Sequence, residues 1–162
     1  MALTLRTKNK KETQNIAFAL AKEIARHKSE RAFVAGLVGD LGSGKTTFTQ
    51  GFARGLGVKE KIKSPTFILM QIFELPRRRK AMQYKNFIHI DAYRIAHKKE
   101  LEHLGLQKMF RDPHNIILIE WADRIKSLLP KRAATITFSH GGKINERAIR
   151  IFGGHTAHLR ST

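Results

Sequence analysis

Apolar and polar positions along this chain recur at two different periods, and the switches between them outline its elements. Leu3, Leu5 and Thr7 fall on alternate positions, which predicts a short strand. Ile16, Leu20 and Ile24 then recur every fourth residue, the spacing of one helical face, with Thr7 or Asn9 placed to cap the helix. Ala32 to Val38 is nearly continuous apolar sequence, as expected of a strand covered on both faces, and Thr46 to Gly57 returns to a helical pattern.

The second half repeats this alternation. Ser64-Pro65-Thr66 marks a loop, because proline pushes its predecessor out of helical geometry, and Phe67 to Phe73 reads as a strand. Arg77 to Lys80 forms a basic turn in a hairpin connection before a strand from Phe87 to Ile90 that ends in Asp91. Lys98 to Leu106 predicts a short helix, and Asn115 to Trp121 a buried strand ending in the acid Glu120. Ala134 to Phe138 and Ala148 to Phe152, separated by Gly141-Gly142, make a terminal hairpin. Strands alternating with helices predict an α/β fold of three layers, with a mostly parallel central sheet, antiparallel additions and a C-terminal hairpin. Strand order stays open. With no internal repeat or linker, residues 1–152 read as one domain and 153–162 as a loose tail.

Composition narrows the setting. The chain has 162 residues, 41% of them hydrophobic, enough for a single proper core. No apolar run approaches the roughly 18 residues of a membrane span, and no secretory signal is visible, so a cytoplasmic location is expected. The absence of cysteine excludes disulfides, thiolate metal sites and a thiol nucleophile. Thirty-one Lys and Arg against 13 Asp and Glu give a formal charge of +18, a field that attracts polyanions, RNA foremost. A basic host proteome or surface drift would produce the same total, so the charge supports a partner without identifying one.

The candidate chemistry centres on Gly39-Asp-Leu-Gly-Ser-Gly-Lys-Thr46, a complete phosphate-binding loop between an apolar strand and a helix. Gly39, Gly42 and Gly44, with Ser43 between them, let backbone N–H groups turn inward around phosphate oxygens, and the following helix adds its positive end. Lys45 is placed to reach the β and γ phosphates and the Thr46 hydroxyl to ligate Mg²⁺. Magnesium takes oxygen ligands and keeps several waters, so one carboxylate opposite the loop is the expected complement. Glu120 is the first choice, since it ends the most apolar strand, where a parallel strand points into the ligand crevice. Asp91 closes another apolar strand in the same way and is placed to orient a water. Thr66 suits a switch hydroxyl that senses the γ phosphate, although Ser-Pro-Thr is equally an ordinary turn. No guanine-reading Asn-Lys-x-Asp follows the loop, which favours ATP over GTP. The scattered histidines read as solvated or packed groups and not as metal ligands.

Taken together, five motifs resemble the TsaE (YjeE) family of bacterial ATPases that support threonylcarbamoyladenosine modification of tRNA. They are Gly-Asp-Leu-Gly-Ser-Gly-Lys-Thr-Thr from Gly39, Ser-Pro-Thr-Phe from Ser64, His-Ile-Asp-Ala-Tyr-Arg from His89, Glu-Leu-Glu-His-Leu-Gly from Glu100 and Ile-Glu-Trp-Ala from Ile119. The likeness runs from about Glu12 to the final hairpin and implies a P-loop NTPase fold. It further implies that Lys45, Thr46 and Thr47 bind ATP, that Thr46 and Glu120 hold Mg²⁺, and that Asp91 and Thr66 serve the γ-phosphate side. Thr13 matches a family position near the nucleotide, and Trp121 follows the metal-binding acid as in the family. The implied partners are TsaB and TsaD, of which TsaD is the transferase, with hydrolysis weak alone and stronger in the complex. This chain departs from the family in its charge: many relatives are near neutral or acidic, and the hairpin holding Arg77, Arg78, Arg79 and Lys80 is usually short and not basic, which suggests direct contact with tRNA phosphates. Two rival readings are a small P-loop kinase and a subunit that holds ATP only structurally while binding RNA or a partner.

Overall fold

A computed structural model describes residues 3–62, 69–76, 82–97 and 99–153. The alternating start forms β1 (Leu3–Thr7), and α1 (Lys10–Arg26) follows at once. Asn9 is the cap: its side chain accepts the Glu12 N–H at 2.9 Å, while the Glu12 carboxylate accepts the Lys8 N–H at 2.8 Å. The first contact satisfies a backbone donor that helix geometry leaves over, and the second ties the residue before the cap to the first turn. Next come β2 (Phe33–Val38), α2 (Lys45–Leu56), β3 (Met70–Glu74) and β4 (Asn86–Asp91). They are followed by α3 (Lys99–His103), α4 (Leu106–Arg111), β5 (Asn115–Glu120), a 3₁₀ helix (Ala122–Leu128), β6 (Ala134–His140) and β7 (Arg147–Phe152).

The seven strands form one sheet in the order β1-β7-β6-β2-β5-β4-β3. Its centre, β6-β2-β5-β4, is parallel, and β1–β7, β6–β7 and β3–β4 are antiparallel. The pattern of apolar runs follows from this order. β5 lies between two parallel neighbours with both faces covered, and every one of its residues is buried. Its alternate side chains feed two cores. Ile116 and Leu118 join Phe48, Phe52, Phe87 and Phe138 under α1 and α2, whereas Ile117 and Ile119 join Leu106, Phe110 and Ile125 on the opposite face.

Close approach of α1 and α2 is written into α2. A Cβ at Gly51 would lie 2.3 Å from the Gln14 carbonyl oxygen, so the two backbones meet at a spacing that only glycine allows. The expected single helix from Lys98 to Leu106 is instead two short ones, α3 and α4. Gly105 adopts the left-handed conformation (φ 76°) between them, because a residue without Cβ stops one helix and starts the next in a new direction. The predicted start of β3 at Phe67 and the basic turn Arg77 to Lys80 lie outside the described residues, as do the residues from His155 to the end.

Candidate functional site

The loop joining β2 to α2 has the shape that its glycines dictate. Gly39, Gly42 and Gly44 have φ of 154°, 73° and 105°, values that side-chain-bearing residues rarely adopt. Gly39 carries a second constraint, since a Cβ there would come within 2.6 Å of the Phe138 carbonyl oxygen on β6. The loop is therefore pressed against the sheet and cannot spread. From the other side, the Arg147 guanidinium at the start of β7 donates to the Gly42 carbonyl at 3.1 Å.

Lys45 opens α2 and is folded back over the loop. Its Nζ donates to the Gly39 and Asp40 carbonyls at 2.6 and 2.8 Å and lies 3.7 Å from the centre of the Trp121 ring. Burial lowers the Lys45 pKa from its ordinary value, against the pull of Glu120, Asp123, Asp91 and Asp40. Trp121 reaches this position because the chain turns sharply after β5: it is the one non-glycine residue with positive φ among those described (57°), and it packs on Tyr93 with ring centres 4.8 Å apart. The expectation that the β5 strand continues through Trp121 is thus corrected, since a left-handed residue cannot extend a strand.

Glu120, at the end of β5, faces α2 and is 1% exposed. Its Oε2 accepts from the Thr46 hydroxyl at 2.8 Å and its Oε1 from the Thr49 hydroxyl at 2.9 Å. The His89 Nε2 lies 3.0 Å from Oε1. Burial alone would raise the Glu120 pKa; the His89 contact and the hydroxyls outweigh it, so the carboxyl sits below its ordinary value and is ionised at neutral pH. Asp91 is opposite Glu120 in the register of β4 and β5 and is also buried, with Oδ1 accepting the Tyr93 N–H at 2.9 Å. Its pKa is raised, first by burial and then by the neighbouring Glu120 charge, against the Tyr93 hydrogen bond.

The structure therefore brings Lys45, Thr46, Glu120, Asp91 and Trp121 to one end of the parallel strands, beside the glycine loop. Thr47 is half-buried in the first turn of α2. Ser43 is fully buried, and its hydroxyl has no hydrogen-bond partner among the described residues. Thr13 is buried too, but its hydroxyl is engaged with the Thr7 hydroxyl at 2.8 Å. Thr66 lies outside the described residues. His89 and Thr49 are site residues that motif reading passed over. Two signals point to them: a histidine inside the apolar run of β4, and the three-residue spacing of Thr46 and Thr49, which sets both hydroxyls on one face of α2.

These residues fit a nucleotide phosphate chain and its divalent cation. Positive-φ glycines at a helix start, the ammonium of Lys45 and the unpartnered Ser43 hydroxyl form a cradle with polar capacity to spare. The Thr46 hydroxyl spends its one hydrogen on Glu120 and keeps its lone pairs, so a hydroxyl and a carboxylate oxygen meet at one point. No group of three or more His, Cys, Asp or Glu converges among the described residues. A magnesium-type site needs none, since phosphate and water oxygens complete it.

The family model described as "Threonylcarbamoyl adenosine biosynthesis protein TsaE" matches residues 7–149. The chain belongs to the TsaE family. It is 37% identical to the Bacillus subtilis tRNA threonylcarbamoyladenosine biosynthesis protein TsaE over 150 residues, 91% of this chain and 83% of the relative. Identity to the protein of the same description in Haemophilus influenzae is also 37%, over 103 residues, 64% of this chain and 60% of that relative, so the chain spans less than two thirds of it. The crystal structure of Bacillus subtilis YdiB matches with a TM-score of 0.69 and 31% identity, covering 98% of this chain and 90% of that one. Family membership and the match to YdiB support the α/β P-loop fold. No described helix is long and apolar enough to cross a membrane.

Proposed function

We propose that this chain binds ATP with Mg²⁺ and hydrolyses it in support of threonylcarbamoyladenosine modification of tRNA, acting with TsaB and TsaD proteins. The observation that carries the reading is the Thr46–Glu120 contact of 2.8 Å beside a loop that holds Lys45. In that reading the loop amides, Ser43, Thr47 and Lys45 bind the phosphates, with Thr13 and Trp121 near the nucleotide. Thr46 and Glu120 hold the cation. When bound, Mg²⁺ neutralises phosphate charge in the transition state. Lys45 moves its hydrogen bonds from the Gly39 and Asp40 carbonyls to phosphate oxygens. Asp91, buried beside Glu120 with one oxygen anchored by Tyr93, orients the attacking water with the other, and Thr66 senses the γ phosphate. The Arg77, Arg78, Arg79 and Lys80 turn contacts tRNA phosphates, and replacing all four with serine should flatten the salt dependence of tRNA binding.

The test is ATP hydrolysis by the purified chain, alone and with the TsaB and TsaD proteins of its host, using Lys45→Ala as the blank. Slow turnover that rises with the partners and disappears in the blank is expected. No stimulation despite demonstrated contact with the partners would count against the proposed role.

A further inference from the structure

His89 is a buried group that the proposed chemistry leaves unused. It is polar, sits between Ile88 and Ile90 in the apolar stretch of β4, is 1% exposed, and points its ring at the most buried carboxylate of the site. A buried polar ring in such a run costs free energy unless it is hydrogen-bonded, and its partner here is Glu120 Oε1 at 3.0 Å. Since the ionised carboxylate can only accept, Nε2 must carry the hydrogen, which fixes the tautomer.

The two oxygens of Glu120 are then unequal. Oε1 faces two donors from the protein interior, the His89 Nε2–H and the Thr49 hydroxyl. That hydroxyl has one hydrogen and lies within reach of both Glu120 Oε1 at 2.9 Å and the Lys45 carbonyl at 3.1 Å. When it turns to the carbonyl, as it is free to do, His89 is the anchor of Oε1 that remains among the described residues. Among the described residues, Oε2 faces the Thr46 hydroxyl alone, at the foot of the phosphate loop. We propose that His89 is a positioning residue: by holding Oε1 from β4 it sets the rotation of the Glu120 carboxylate and presents Oε2, and only Oε2, to a nucleotide-bound divalent cation beside Thr46. This rests on the reading of Thr46 and Glu120 as the cation site.

The physical reason for such an anchor is the flexibility of glutamate. Three side-chain torsions, the last of them the loosely held rotation of the carboxylate, separate the Glu120 backbone from its oxygens, whereas the His89 ring is rigid and mounted on the neighbouring parallel strand, whose Asp91 is the register partner of Glu120. Partners that orient a metal ligand through its other atom typically govern metal affinity by about 10- to 100-fold. A ring that merely filled space would have no such effect.

The experiment measures binding of a fluorescent ATP analogue, first with EDTA and then across a Mg²⁺ titration, for the wild type, His89→Leu, His89→Gln and Thr49→Val. His89→Leu should raise the half-saturating Mg²⁺ concentration about 10-fold or more while leaving affinity in EDTA near that of the wild type. His89→Gln, which returns an N–H donor of similar reach, should recover most of the loss. Thr49→Val should shift the Mg²⁺ requirement in the same direction but less. Wild-type Mg²⁺ dependence in His89→Leu, or an equal loss with and without Mg²⁺, would overturn the inference. Should His89→Leu fail to fold, His89→Asn, which keeps a polar group but is too short to reach Glu120 Oε1, takes its place, and wild-type Mg²⁺ dependence in that variant would overturn the inference as well. If the wild type itself bound the analogue without any response to Mg²⁺, the cation site would be the reading that fails.

Discussion

At the scale of single residues, the site holds two buried carboxylates side by side, and their environments push them apart. Glu120 receives donors on both oxygens and is held low, whereas Asp91 has one backbone donor and is held high by burial and by its neighbour. An Asp91 carboxylate is thus a cost to the fold that its proposed role in catalysis explains. Asp91→Asn keeps an acceptor for the Tyr93 N–H and removes the charge, so it should stabilise the nucleotide-free protein at pH 7 while abolishing hydrolysis. The sign follows from linkage: with the folded pKa raised above the ordinary value of 3.8, the native state binds the proton more tightly. The contribution of Asp91 to stability is therefore full below that value and is lost as pH rises through the folded pKa. The advantage of the variant in urea unfolding should be largest at neutral pH and shrink on acidification. An advantage that did not change with pH would assign the effect to packing.

At the scale of elements, the α1–α2 contact makes the sharpest demand on sequence. Gly51→Ala should destabilise the protein by roughly 1–3 kcal/mol, because backbone at Gln14 must retreat to admit the methyl group, and urea unfolding with unchanged slope would measure it. An effect near zero would mean that the two helices slide apart freely. That constraint was not readable beforehand, since a glycine inside a helical pattern says nothing about its neighbour. What was readable shares a physical cause: every strand that lies between covered faces needs an unbroken apolar run, and β2 and β5 have one. The loop glycines were likewise legible, because positive φ is a local demand. Strand order was not, as it depends on which edges pair. The identity of the anchors on Glu120 was hidden for the same reason: His89 and Thr49 are 31 and 71 residues away in sequence and meet the carboxylate only through the β4–β5 register and the docking of α2.

At the scale of the whole molecule, a charge of +18 on 162 residues sets up self-repulsion that the fold must withstand. Exposed pairs such as Arg26–Glu23, at 3.2 Å, offset little of it, since solvent screens the attraction and holding two long side chains together costs entropy. Raising sodium chloride from about 10 to about 150 mM shortens the screening length from about 30 to about 8 Å, which weakens repulsion across the whole surface while sacrificing only those minor attractions. The melting temperature of the nucleotide-free protein should therefore climb over this range. An anion lodged in the glycine loop would also raise it, so the same titration belongs on Lys45→Ala, which lacks the ammonium of that cradle. Equal climbs in both proteins would place the effect in the overall field, and with it a standing attraction for any polyanion the molecule meets. A climb confined to the wild type would place it in the loop. A falling melting temperature would mean that attractive pairs outweigh the repulsion, and that the excess of cations is neutralised where it stands.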